Sequence, residues 1–182
     1  MKQKLLDNKN IIILIASIVA CALLAPTFIS FFGDTINDRS IVSIIMYAAY
    51  AAANLIIIIF VISKKELSLL TLMIPLIVFE SAGLLNNIYS LIKNNSWVGL
   101  YYCALYFSII LCYIIYYFNR NEKLRIAILI LFLICIAFNV VGVFGGSNIS
   151  LCVLITNLLL TGIFYSITSG GESLWKRQHL LQ

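Results

Sequence analysis

Charge is what this chain has least of. Asp, Glu, Lys and Arg make up 10% of its 182 residues, against about 25% in soluble domains. With a mean hydropathy of +1.06, that excludes a soluble fold. Histidine occurs once, as His179 near the end of the chain. This removes the HExxH type of metal site and any Cys–His nucleophile within the apolar part. The sequence also lacks a GxxxxGK[ST] loop, an arginine ladder, a TVGYG filter and a basic cluster inside an apolar run that could hold a lipid phosphate. From these absences we expect no enzyme, no metal and no cofactor. The five cysteines, Cys21, Cys103, Cys112, Cys135 and Cys152, all lie in apolar stretches with no CxxC spacing. They read as small buried side chains. The net charge of +5 is scattered over short loops and forms no nucleic-acid surface.

What the chain has in abundance is apolar length. Six segments reach the roughly 20 residues that cross hydrocarbon: 11–32, 41–63, 67–92, 97–118, 125–146 and 149–169. The basic start, residues 1–10, is followed by no small-x-small cleavage site, so the first segment reads as a permanent span. Residues 170–182 form a tail in which Gly170-Gly171 is expected to stop the last helix. Beyond that stop, Leu174, Trp175, Leu180 and Leu181 beside Lys176 and Arg177 suit an anchoring tail or a brief interfacial helix. The expected fold is an all-α integral membrane protein, a single bundle of six transmembrane helices.

Orientation follows from loop charge. Lys2, Lys4, Lys9, Lys64, Lys65, Arg120, Lys123, Arg125, Lys176 and Arg177 fall on one side, and only Arg39 and Lys93 on the other. By the positive-inside rule both termini are expected in the cytoplasm, in a multi-pass protein of a cell membrane, most simply the bacterial cytoplasmic membrane.

The third segment carries a carboxylate at its centre. Glu80 at that depth costs about 2.5–3.5 kcal/mol on insertion scales, and such groups face a protein interior or a cavity. Apart from Arg125 at the edge of the fifth segment, no basic residue lies in any span, and none lies at mid-depth to pair with it. Gly83 and Asn87 share its helical face, with Asn86 one residue off, and Pro75 is expected to kink the helix before it. Ser43, Tyr47, Tyr50 and Asn54 form one stripe of the second span; Ser150, Asn157, Thr161 and Thr168 form one of the sixth. Asn139 belongs to the fifth span, with Gly142 and Gly146. The fourth shows Tyr102, Tyr106, Tyr113 and Tyr117 along one side, with Tyr101, Tyr116 and Phe118 nearer the interfaces.

Given the orientation, these polar groups gather from the centre outward, while the cytoplasmic half is plainer: LIIIIFVI, LSLLTLM and LRIAILILFLI. We therefore expect a polar pocket open to the outside and closed below by packed aliphatics. Its expected lining is Glu80, Asn87, Asn54, Tyr47, Tyr50, Asn139, Asn157 and Tyr106. The competing role for each Asn is helix-to-helix bonding, which contributes about 0.6 kcal/mol on average.

No stretch carries a family signature. In plan, six short-looped spans with cytoplasmic termini, and an AxxxA step at Ala16 and Ala20 of the first, the chain resembles the substrate-binding S components of energy-coupling-factor vitamin transporters. That resemblance implies a small-molecule site near the outer face and a membrane partner that supplies energy and docks on small residues of the first helix. The expected function is thus small-solute transport or membrane-embedded substrate binding. The alternative is a non-transporting accessory, scaffold or immunity subunit, for which the alanine-rich AAYAAAN of the second span would supply a helix interface.

Overall fold

Backbone groups in hydrocarbon have no water to bond, so a chain this apolar satisfies them within helices. The computed structural model describes residues 2–31, 38–63, 68–94, 97–144 and 148–179, and no strand occurs among them. Six helices follow in order: α1 (Lys2–Phe31), α2 (Asp38–Ile62), α3 (Leu69–Asn94), α4 (Trp97–Asn119), α5 (Glu122–Phe144) and α6 (Asn148–His179). Five stretches of the described residues are long and apolar enough to cross a bilayer: Ile41–Ile62, Leu69–Lys93, Trp97–Asn119, Glu122–Phe144 and Ile149–Ser169. The apolar part of α1, Asn10–Pro26, is shorter. The molecule is an all-α bundle of membrane type.

Local chemistry sets the helix ends. Ser68 and Thr71 cap α3 reciprocally: Thr71 Oγ1 accepts from the Ser68 N–H at 2.7 Å, and Ser68 Oγ from the Thr71 N–H at 3.2 Å. Asn121 opens α5 by accepting the Lys123 N–H on its side-chain oxygen at 2.9 Å, and Glu122 pairs with Arg125 in the same turn. Between α4 and α5, Arg120 turns the chain in the left-handed region (φ 48°). Its guanidinium lies 5.3 Å from the centre of the Tyr117 ring.

One boundary differs from expectation. α6 runs through Gly170-Gly171 to His179 instead of stopping there. A glycine inside a helix costs only about 1 kcal/mol relative to alanine, and ESLWKRQ continues with residues that accept helical geometry. α3 continues as one helix through Pro75. The loop at 33–37, Lys64 and Lys65, the turn at 145–147 and Leu180 and Leu181 lie outside the described residues, as do the side chains of Leu174, Trp175, Lys176 and Arg177.

The helices form a ring. Each packs on its neighbours in sequence, α1 closes on α6, and α3 also touches α6 across the middle. Burial is inverted relative to a water-soluble bundle. Ser17, Asn54, Glu80, Thr156 and Asn157 are fully buried, while Ile12, Ile59, Leu133, Val141 and many other large apolar side chains lie outside. With lipid as the solvent that is the stable arrangement, because apolar side chains gain little by leaving hydrocarbon and polar ones must find company inside.

Candidate functional site

The ring holds a cavity of about 150 Å³ at the end where α2, α4 and α6 begin and α3 and α5 finish. That is the end opposite Arg120, Lys123 and Arg125, the one that loop charge predicts to face outward. α2 contributes Met46 and Tyr50 to the wall, and α3 contributes Asn86 and Asn87. Tyr102 and Tyr106 come from α4, with ring centres 6.2 Å apart. α5 adds Asn139, and α6 adds Ile149, Ser150 and Val153.

Small residues allow this convergence. A Cβ on Gly83 would lie 2.9 Å from Cζ of Tyr106, so the tyrosine ring packs directly on the α3 backbone only because residue 83 is glycine. A Cβ on Gly99 would stand 3.1 Å from the Asn87 carbonyl oxygen, which marks how closely α4 approaches α3 just where Asn87 meets the cavity.

The amides have fixed orientations. Asn87 Nδ2 donates to the Gly83 carbonyl at 2.8 Å, and Asn139 Nδ2 to the Cys135 carbonyl at 2.7 Å. A carbonyl can only accept, so the nitrogen must be the atom turned to the helix. Each residue has Oδ1 and one remaining amide hydrogen left to offer.

A second polar tier lies deeper. Glu80 precedes Asn87 by seven residues, about 10 Å further into the bundle at 1.5 Å per residue. Neither of its carboxyl oxygens has a hydrogen-bond partner among the described residues. Tyr50, Tyr106 and Cys135 are close enough to feel its charge. Asn157 of α6 is equally buried and has neither side-chain polar atom bonded among the described residues. Asn54 donates to Thr156 Oγ1 at 3.0 Å and to its own Tyr50 carbonyl at 2.9 Å, tying α2 to α6.

Below this tier the bundle is shut. Leu72, Ile109, Ile128 and Leu160 are fully buried there, around a knot of rings. Phe164 is its centre, 5.6 Å from Tyr113, 5.5 Å from Tyr116 and 6.4 Å from Phe132. Tyr113 donates its hydroxyl to the Leu69 carbonyl at 2.8 Å. The closure is therefore aromatic as well as aliphatic. Tyr116, expected near an interface, turns inward because it continues the 106–109–113 face of α4 at helical spacing; Tyr101 and Phe118 do point outward.

Of the residues read from the sequence as lining, Asn87, Tyr50, Asn139 and Tyr106 meet at the cavity. Glu80, Asn54, Tyr47 and Asn157 do not line it and are buried. Asn86, Tyr102 and Ser150 join the wall, each of them visible beforehand as a polar or aromatic residue in the outer half. Thr156 carried no signal beyond its type. Ala20 is buried in the bundle and Ala16 is half-buried. In the alanine-rich stretch Ala53 is buried, and the Ala51 carbonyl receives a long Cys21 thiol contact at 3.9 Å. All five cysteines are free. Compared with protein-family models, curated proteins and solved structures, the chain matches none.

Proposed function

We propose that this chain captures a small solute from the outer side of a cell membrane, as a transport protein or as the membrane-embedded binding subunit of a transport system, and performs no catalysis. The observation that carries this reading is the placement of the cavity. It occupies the Lys- and Arg-poor end of the bundle, is lined by tyrosines, asparagines and a serine among apolar side chains, and has a bonded ring knot beneath it. Small-molecule sites are built in this way, mostly apolar with a few placed polar groups. Without a nucleotide-binding loop, any uphill movement would draw on a partner subunit or on a proton carried by Glu80.

The test is native mass spectrometry of the full chain from detergent, wild type beside Asn139→Phe. The variant fills the cavity from a half-buried wall position. A stoichiometric small-molecule adduct in the wild type that vanishes in the variant is the expected result. Bare protein in both, or a co-purifying polypeptide instead, supports the accessory-subunit alternative.

A further inference from the structure

The cavity offers one kind of electrostatics. Among the described residues, no Lys, Arg or His lines it. Asn87 and Asn139 each spend one amide hydrogen on their own helix, which leaves two acceptor lone pairs on Oδ1 against one remaining N–H. Three phenol rings, Tyr50, Tyr102 and Tyr106, stand in the wall, and an aromatic face carries negative potential. Two of them, Tyr50 and Tyr106, also lie within the field of Glu80, whose carboxyl oxygens are buried and unbonded among the described residues.

With no cationic group among the described lining residues, nothing there offsets the charge of an anion. A bare metal ion is disfavoured too, since it needs several oxygens at bonding distance and no group of three metal-ligating side chains occurs among the described residues. Met46, Ile149 and Val153 give the rest of the wall an apolar skin. An ion with a greasy surface fits such a lining, because ring faces and sulfur attract diffuse positive charge without demanding a directed hydrogen bond.

Resting on the outward-site reading above, we infer that the solute is a small organic cation of the alkylammonium class, caged by Tyr50, Tyr102 and Tyr106, with Glu80 beneath as its counter-charge.

Three near-isosteric probes test this on the detergent-purified full chain: tetramethylammonium, tert-butanol and pivalate, positive, neutral and negative in turn. Tetramethylammonium is expected to raise the unfolding temperature saturably, as a ligand of the native state must, and the other two are not. Tyr102→Phe keeps the ring and the response. Tyr102→Leu weakens apparent affinity by about tenfold, the size of one desolvated cation–π contact. Glu80→Gln abolishes the response; if that variant does not fold, the Tyr102 pair carries the test. A response to pivalate or tert-butanol equal to that of the cation overturns the inference. So does no response to tetramethylammonium, or one unchanged in Tyr102→Leu. If the cation fails while the mass-spectrometric adduct persists, the outward site survives and only its ligand class falls; bare protein removes both.

Discussion

Glu80 is held where nothing among the described residues bonds it. A buried polar group left unsatisfied costs about 1–3 kcal/mol, and replacing buried polar groups with apolar ones of similar volume is often neutral or stabilising. Glu80→Met should therefore leave the protein as stable as wild type or more so, by up to about 3 kcal/mol, while removing ligand binding. Thermal unfolding in detergent checks it. A fall of several degrees would mean that the carboxyl supports the fold, and the functional assignment would lose its footing. Asn54 contrasts with it, because its amide nitrogen is spent on Thr156 and on the Tyr50 carbonyl. Its position one turn deeper than the cavity wall makes it a strut between α2 and α6.

Helix contacts at the glycines differ sharply along the chain. Gly83 meets the Tyr106 ring, whereas nothing lies within 4 Å of a Cβ placed on Gly162 of α6. Gly83→Ala must push a rigid ring that also forms the cavity floor, at about 1–3 kcal/mol for an overpacked site. Gly162→Ala meets open space and gains up to about 1 kcal/mol of helix propensity. Unfolding temperatures of the two variants should thus move in opposite directions, and only Gly83→Ala should weaken ligand capture. Equal tolerance of both would show that α3 and α4 are less closely apposed than the Gly83 and Gly99 contacts require.

The molecule as a whole has a direction. One end carries Arg120, Lys123 and Arg125 and sits under a ring-packed plug, and the other holds the cavity. With the native cysteines replaced, Asn86→Cys at the cavity wall should react with a membrane-impermeant thiol reagent added to intact cells. Asn121→Cys, exposed at the basic end, should react only after permeabilisation. The reverse pattern would invert the orientation and turn the cavity toward the cytoplasm.

Much of this was readable along the chain. Length and apolarity of each segment dictate helices in lipid, and the ten-to-two split of Lys and Arg between the two sides predicts their direction. These are sums over one dimension and need no knowledge of neighbours. The depth of Glu80, Asn87 and Asn139 followed in the same way. Which side chains converge depends instead on how each helix is rotated about its axis, and that is settled by packing. Tyr106 could seat on α3 because Gly83 admits its ring. Tyr116 joined Phe164 because the inner face of α4 continues that far. Asn54 found Thr156, 102 residues away. The same rotations put Glu80 beneath the cavity and brought Tyr102, Asn86 and Ser150 into its wall. A helix reads its depth from the membrane but its azimuth from its neighbours.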